Sequence, residues 1–313
     1  MRVFVTAVFF LILHSSVGRC DNPSIESEFT KMDFTEVITT MPETSLDILK
    51  TSFSKEAILP WLGIISSSLI LIHYDQDILD EVQKQGRHLG YENSNQYKPI
   101  IQIGKLELFR APQDFESGLY FLGDGWLHGT VAASFLASGY FAGNVRALNT
   151  SLQLVQGFTL STIASQGLKR VFGREGPVKQ TEPGGAWRPF PSIPAYNKDH
   201  ERYDAFPSGH IMTATLTFTV IRTNYPEYES YLLPAEILLV SALGWQMVNS
   251  DVHWAGDYPL GVAMGYVFGK SVAKVGRKSK SVQQSQATPL WEPEVMPIIR
   301  PDGATLAQLL WFF

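Results

Sequence analysis

Two short stretches of this chain hold residue types that can do chemistry together. Phe206-Pro207-Ser208-Gly209-His210 sets a histidine beside a small, turn-prone pair whose backbone N–H groups can face an anion. Downstream, His253-Trp254-Ala255-Gly256-Asp257 holds a histidine and a carboxylate four residues apart, on one face if the stretch is helical. Together they supply an acid/base, a nucleophile with its orienting carboxylate, and an oxyanion cradle. That set suits phosphoryl transfer without a metal. Lys169-Arg170, at the end of an apolar-periodic segment, adds fixed positive charge.

Each piece also has a plainer reading. Ser208 fits a helix N-cap, and the His253–Asp257 spacing fits a surface pair of small worth. Lys169 and Arg170 fit a basic pair complementing a helix C-terminus. The plainer readings do not predict all three in this order. A metal held by His210, His253 and Asp257 is the other chemical option. The adjacent Ser-Gly pair and basic loop suit an anion better than a cation, so no metal and no cofactor is expected. His73, His88, His128 and His200 have no clear partner in the sequence. Asp124 and His128, also four apart, read as structural or rim residues.

In order and spacing these segments resemble the type 2 phosphatidic acid phosphatase (PAP2) superfamily, which also contains the vanadium haloperoxidases. The resemblance covers about residues 118 to 275. The family pattern is Lys-x6-Arg-Pro, then Pro-Ser-Gly-His, then Ser-Arg-x5-His-x3-Asp. Pro207-Ser208-Gly209-His210 is complete, His253 and Asp257 match, and Lys169 and Pro177 remain of the first part. The resemblance implies that His253 attacks phosphorus, that Asp257 holds its ring, and that His210 protonates the leaving group and later activates water. It also implies that Lys169, Ser208 and Gly209 bind the non-bridging oxygens. Two family arginines are missing, their places taken by Gly176 and Met247. Each such guanidinium contact is worth roughly 2–4 kcal/mol of transition-state stabilisation, by analogy with other donor deletions. Arg174 is the expected substitute, with Arg170 beside it. Arg188-Pro189 is a second Arg-Pro pair, and Gln246 and Asn249 are neutral donors near the later vacancy.

The elements that must position these groups read as helices. The chain has 313 residues, 45% hydrophobic and 18% charged, enough for a substantial core. A formal net charge of −5 argues against nucleic acid as a partner. Cys20 is the only cysteine, which excludes internal disulfides and thiolate metal clusters. Arg2, the apolar run Val3 to Leu13, and then Ser16 and Gly18 read as a signal peptide over residues 1–18. Export to the periplasm or cell envelope is then expected.

Residues 19–56 form a polar lead-in with one short helix. Residues 57–275 form an all-α, PAP2-like helical domain. Residues 276–313 form a basic linker and a tail with a short β-hairpin around Arg300-Pro301-Asp302-Gly303. Within the domain, Ile58 to Tyr74 is an apolar segment of near-spanning length, and Asp75 to Gln85 an amphipathic helix. Residues 86–116 read as loop. Helices are expected over 118–143, 146–170, 211–222, 232–249 and 258–275, and residues 173–207 as a functional loop. The function expected is an exported or membrane-associated phosphatase acting on a phosphomonoester or pyrophosphate of a small molecule or lipid. The alternative is a weakened relative that binds phosphate or anionic lipid in the envelope.

Overall fold

Three glycines at four-residue spacing, Gly261, Gly265 and Gly269, decide how the core closes. A Cβ at Gly265 would lie 2.5 Å from the Met212 carbonyl oxygen, and one at Gly261 would lie 2.8 Å from that of Ser208. Helix α10 (Tyr258–Val272) therefore rests directly on the backbone of α8 (Gly209–Asn224). Both pack on α6 (Val145–Phe172), burying Leu154, Leu216, Val220 and Val272 completely. These positions come from a computed structural model describing residues 29–91, 96–103, 106–277, 294–299 and 305–310. The expected signal peptide, Cys20, most of the basic linker and the Arg300–Gly303 turn lie outside them.

The fold is mostly helical, as expected. Helix α6 starts where the Asn144 side chain accepts the Ala147 N–H, and ends where Gly173 adopts a left-handed φ of 56°. A side chain at Gly173 would meet the Arg188 carbonyl oxygen at 1.8 Å, so this turn admits only glycine. Helices α8 and α9 (Glu229–Asn249) complete the bundle. Strands β3 (Glu294–Ile299) and β4 (Thr305–Leu310) pair antiparallel, as the sequence suggests.

Several boundaries differ from the sequence reading. The lead-in holds two helices, α1 (Glu36–Thr39) and α2 (Met41–Ser52). The apolar segment and the amphipathic helix after it form one 31-residue helix, α3 (Ile58–His88). Nothing between Tyr74 and Asp75 breaks a helix, and Pro60 sits in the first turn, where its missing N–H has no intrahelical acceptor to lose. The buried residues Ile64, Ser68, Asp75, Leu79 and Gly86 recur every four and seven positions, so α3 turns one stripe inward.

Residues 86–116 are not all loop. They contain the antiparallel pair β1 (Tyr97–Ile103) and β2 (Leu106–Pro112), with Tyr97 opposite Pro112. The helix expected from Gly118 is two, α4 (Phe115–Phe121) and α5 (Gly125–Phe141). Asp124 separates them because its side chain caps the Trp126 N–H. Within 173–207 lies a short α7 (Ile193–Lys198).

Gly265→Ala is expected to destabilise the protein by about 1–3 kcal/mol, because the methyl meets backbone that cannot yield. Gly167→Ala, on an exposed turn of α6 with open space around it, should instead add about 0.5–1 kcal/mol. Denaturant midpoints measured on both variants check the pair. Equal effects would show that the α8–α10 contact is looser than described.

Candidate functional site

The two motif segments meet at the start of α8 and the end of the 250–257 loop. The Ser208 N–H donates to the Asp257 carbonyl oxygen at 3.0 Å, so the backbone joins them directly. The Ser208 side chain caps α8 by accepting the Ile211 N–H at 3.4 Å. The plainer role expected for Ser208 is therefore present, and it leaves Gly209 and His210 in the first helical turn, where the aligned N–H groups and the helix dipole favour an anion.

The Lys169 Nζ lies beside this turn, 4.0 Å from where a Gly209 Cβ would stand. Lys169 is buried, and its nearest carboxylate is Asp204 at 3.9 Å. Burial pushes the Lys169 ammonium below its ordinary range, against the pull of Asp204 and Asp257.

The His253 and His210 ring centroids are 5.7 Å apart and edge to face. On its other side His210 meets the Tyr120 ring at 5.1 Å. The turn between α4 and α5 closes over it: a Cβ at Gly123 would lie 2.7 Å from the His210 Cβ. His128 fixes that turn, with its Nε2 2.9 Å from the Leu122 carbonyl oxygen and its Nδ1 2.9 Å from the Thr217 hydroxyl. Burial pushes the His128 imidazole down to about 4, so it stays neutral and structural.

The His253 Nδ1 lies 3.3 Å from the Asp257 Oδ2, which also accepts the Trp254 N–H at 2.9 Å. The pair is not on a regular helix as the spacing suggested. His253 precedes a 3₁₀ turn, Ala255–Asp257, that brings the carboxylate back under the ring. Burial alone would raise the Asp257 carboxyl. The Arg174 guanidinium and His253 outweigh it and hold the group below its usual range.

Arg174 is where expectation and structure part. It is fully buried, with Nη1 2.6 Å from the Asp257 Oδ1 and Nη2 2.6 Å from the Asp75 Oδ2. Nη2 also donates to the Gly184 carbonyl oxygen at 2.8 Å, and the Trp187 and Trp254 rings flank the guanidinium at 5.0 and 5.4 Å. A fork committed to two carboxylates is not placed to bind phosphate, so Arg174 does not replace the missing arginine. Arg170 points outward, bonding Gln166 and lying 4.2 Å from the Tyr196 ring, and does not reach the site either. Arg188 binds Glu175 at 3.1 Å.

The vacant positions hold no cation. Gly176 faces the Glu201 and Val252 carbonyl oxygens, and Met247 is fully buried in an apolar cluster with Ile211, Ala214 and Leu243. Gln246 and Asn249 are fully buried, and their side-chain amides meet no hydrogen-bonding partner among the described residues. Asn249 packs on Gly86 of α3.

Two residues near the site escaped the sequence reading, Asp75 and Tyr120. Asp75 had a usable signal, as the first carboxylate after an apolar run. Tyr120 had none. No group of three or more His, Cys, Asp or Glu suited to a metal occurs among the described residues.

Residues 150–281 match the PAP2 superfamily. A solved structure that aligns with the chain is the transmembrane PAP2-type phosphatidylglycerolphosphate phosphatase from Bacillus subtilis. It is 15% identical, with 67% of this chain and 92% of that one covered and a TM-score of 0.40. No curated protein matches the chain.

Arg174→Ala should destabilise the fold by about 3–5 kcal/mol, because it leaves two carboxylates facing each other in a dry site. Urea unfolding at neutral pH measures it. A loss below about 1 kcal/mol, the worth of an exposed pair, would show that water reaches the cluster.

Proposed function

The chain belongs to the PAP2 superfamily over residues 150–281, and on that premise we propose that it is a metal-independent, membrane-associated phosphatase. One observation carries the reading. Two histidines lie edge to face at 5.7 Å, one on a helix N-terminus beside a buried lysine, the other backed by a carboxylate.

With Nδ1 facing Asp257, Nε2 is the His253 nitrogen left to attack phosphorus. As the P–N bond forms, the P–O bond to the leaving group breaks. His210 gives its proton to that oxygen. Neutral His210 then takes a proton from water, whose oxygen attacks phosphorus and breaks the P–N bond. Asp257 stabilises the His253 imidazolium at both stages. Lys169 and the N–H groups at Gly209 and His210 hold the non-bridging oxygens.

Membrane association is supported by two helical segments, Ile58–His88 and Pro226–Asn249, which are long and apolar enough to cross a bilayer. On α3, Leu62, Leu69 and Ile70 are exposed. The apolar N-terminal run supports export to the periplasm or envelope. The substrate class is a phosphomonoester or pyrophosphate, on a small molecule or a lipid.

A second reading rests on its own observation: Gly176 and Met247 bring no charge, and Arg174 is engaged elsewhere. With the anion held by Lys169 and backbone alone, the protein would bind phosphate or anionic lipid and turn it over very slowly.

Hydrolysis of an aryl phosphate and of phosphatidate by wild type and His253→Ala, with vanadate as competitor, separates the readings. The phosphatase reading expects at least a hundredfold loss in His253→Ala, within the range for a missing acid/base or nucleophile. Vanadate binding without any His253-dependent turnover would support the second reading instead.

The pH dependence gives a further check. A lysine whose ammonium is destabilised by burial loses its proton as pH rises, below the ordinary lysine range, and its hold on phosphate goes with it. Vanadate competition should therefore weaken in the alkaline range. Lys169→Arg, which stays charged, should flatten that loss. An unchanged alkaline limb would remove Lys169 from the anion site.

A further inference from the structure

Helix α3 lies outside residues 150–281, yet it supplies the second carboxylate of the buried cluster. We infer that Asp75 is a positioning residue for the reaction: it holds Arg174 and the 250–257 loop so that Asp257 stays under His253. This rests on the reading of His253 as the nucleophile.

Both Asp75 oxygens are used. Oδ2 accepts from Arg174 Nη2 at 2.6 Å, and Oδ1 accepts the Gly256 N–H at 2.9 Å. One carboxylate thus orients both the guanidinium that grips Asp257 and the backbone one residue before Asp257. The approach is too close for any other residue at 256, since a Cβ there would lie 2.7 Å from the Asp75 Oδ2 and 2.6 Å from the Ile72 side chain. Asp75 is 1% exposed, so a structure that merely needed packing here would do better with an apolar side chain.

Two more contacts run along the same stripe of α3. The Gln83 Nε2 donates to the Asp251 Oδ1 at 2.7 Å, and Gly86 receives the Asn249 side chain. Asp251 carries the loop's left-handed φ of 58°, so Gln83 braces its most strained residue. Asp75 is the member of this series that reaches the chemistry.

The shared guanidinium sets the expected signature. Arg174 is gripped by both Asp75 and Asp257, so Asp75→Asn, which keeps the shape and an acceptor for Gly256, removes one carboxylate from the cluster. The other titratable groups around the cluster are Lys169 with Asp204 on α6 and the following loop, His210 on α8, and Tyr258 on α10. The acid limb of kcat/KM should then move to lower pH.

The test compares wild type, Asp75→Asn and Asp75→Glu by steady-state kinetics on an aryl phosphate across pH, beside His253→Ala. In Asp75→Asn we expect kcat to fall about 10–100-fold, the range seen for outer partners of metal ligands, with KM changed far less and the acid limb of kcat/KM displaced to lower pH. Asp75→Glu restores the carboxylate and should return the acid limb toward wild type. An unchanged kcat and acid limb in folded Asp75→Asn would overturn the inference. If Asp75→Asn does not fold, Asp75→Glu carries the test: its displaced carboxylate should lower kcat with the acid limb in place, and wild-type kcat there would overturn it. Turnover that His253→Ala leaves intact would defeat the phosphatase reading, and this inference with it.

Discussion

A buried guanidinium shared by two carboxylates is the constraint on which the rest of the site depends. None of Arg174, Asp75 and Asp257 could stay charged alone in a dry interior, where an isolated ion costs several kcal/mol even after relaxation. Together they pair through short, charge-assisted bonds at both Arg174 Nη atoms, and the planar fork of arginine fixes the angle between the carboxylates. Of the two carboxylates it is Asp257, held ionised by Arg174, that faces His253, where a positive charge must develop if that ring attacks phosphorus.

Much of the surrounding backbone serves to keep this cluster dry and in register. Gly173 turns the chain out of α6 so that Arg174 starts the loop at full burial. The Ala205 N–H then donates to the Arg174 carbonyl oxygen, and the Trp254 indole N–H to that of Glu175. Ser208 is tied to Asp257 through the backbone, so α8, the 173–207 loop and the 250–257 loop cannot move independently near the histidines. Helix α3 braces the last of these from outside. Its inward stripe reads the loop through Asp75, Gln83 and Gly86, while its outward face carries exposed apolar side chains.

How much of this was legible in the sequence depended on whether a signal was local. Helices α6, α8, α9 and α10 announce themselves by apolar period and by caps such as Ser208 and Gly173. The β1–β2 pair did not, because its strands lie in a stretch rich in Gly, Asn, Gln and Pro that reads as loop. The chemical residues His210, His253, Asp257 and Lys169 could be named from type and spacing, and they lie together. The role of Arg174 could not. Two positions from a vacant arginine, it looks like a phosphate ligand; only the long-range approach of Asp75 and Asp257 shows what it binds. Electrostatic partners separated by a hundred residues leave no trace in local pattern.

The vacancy at 247 is more than the loss of one charge. Met247 is fully enclosed by Ile211, Ala214 and Leu243, with Tyr120, Leu122 and Val252 packed around them. An arginine there would bury a charge against that apolar surface, at a cost of several kcal/mol. The pocket wall is thus built around the thioether, and its neighbours Ile211 and Val252 directly adjoin His210 and His253. That wall leaves His253 buried while His210 stays partly exposed. On the phosphatase reading, Lys169 and the N-terminus of α8 would carry anion binding beside an apolar wall, where one ammonium and a few aligned N–H groups are worth more than in water.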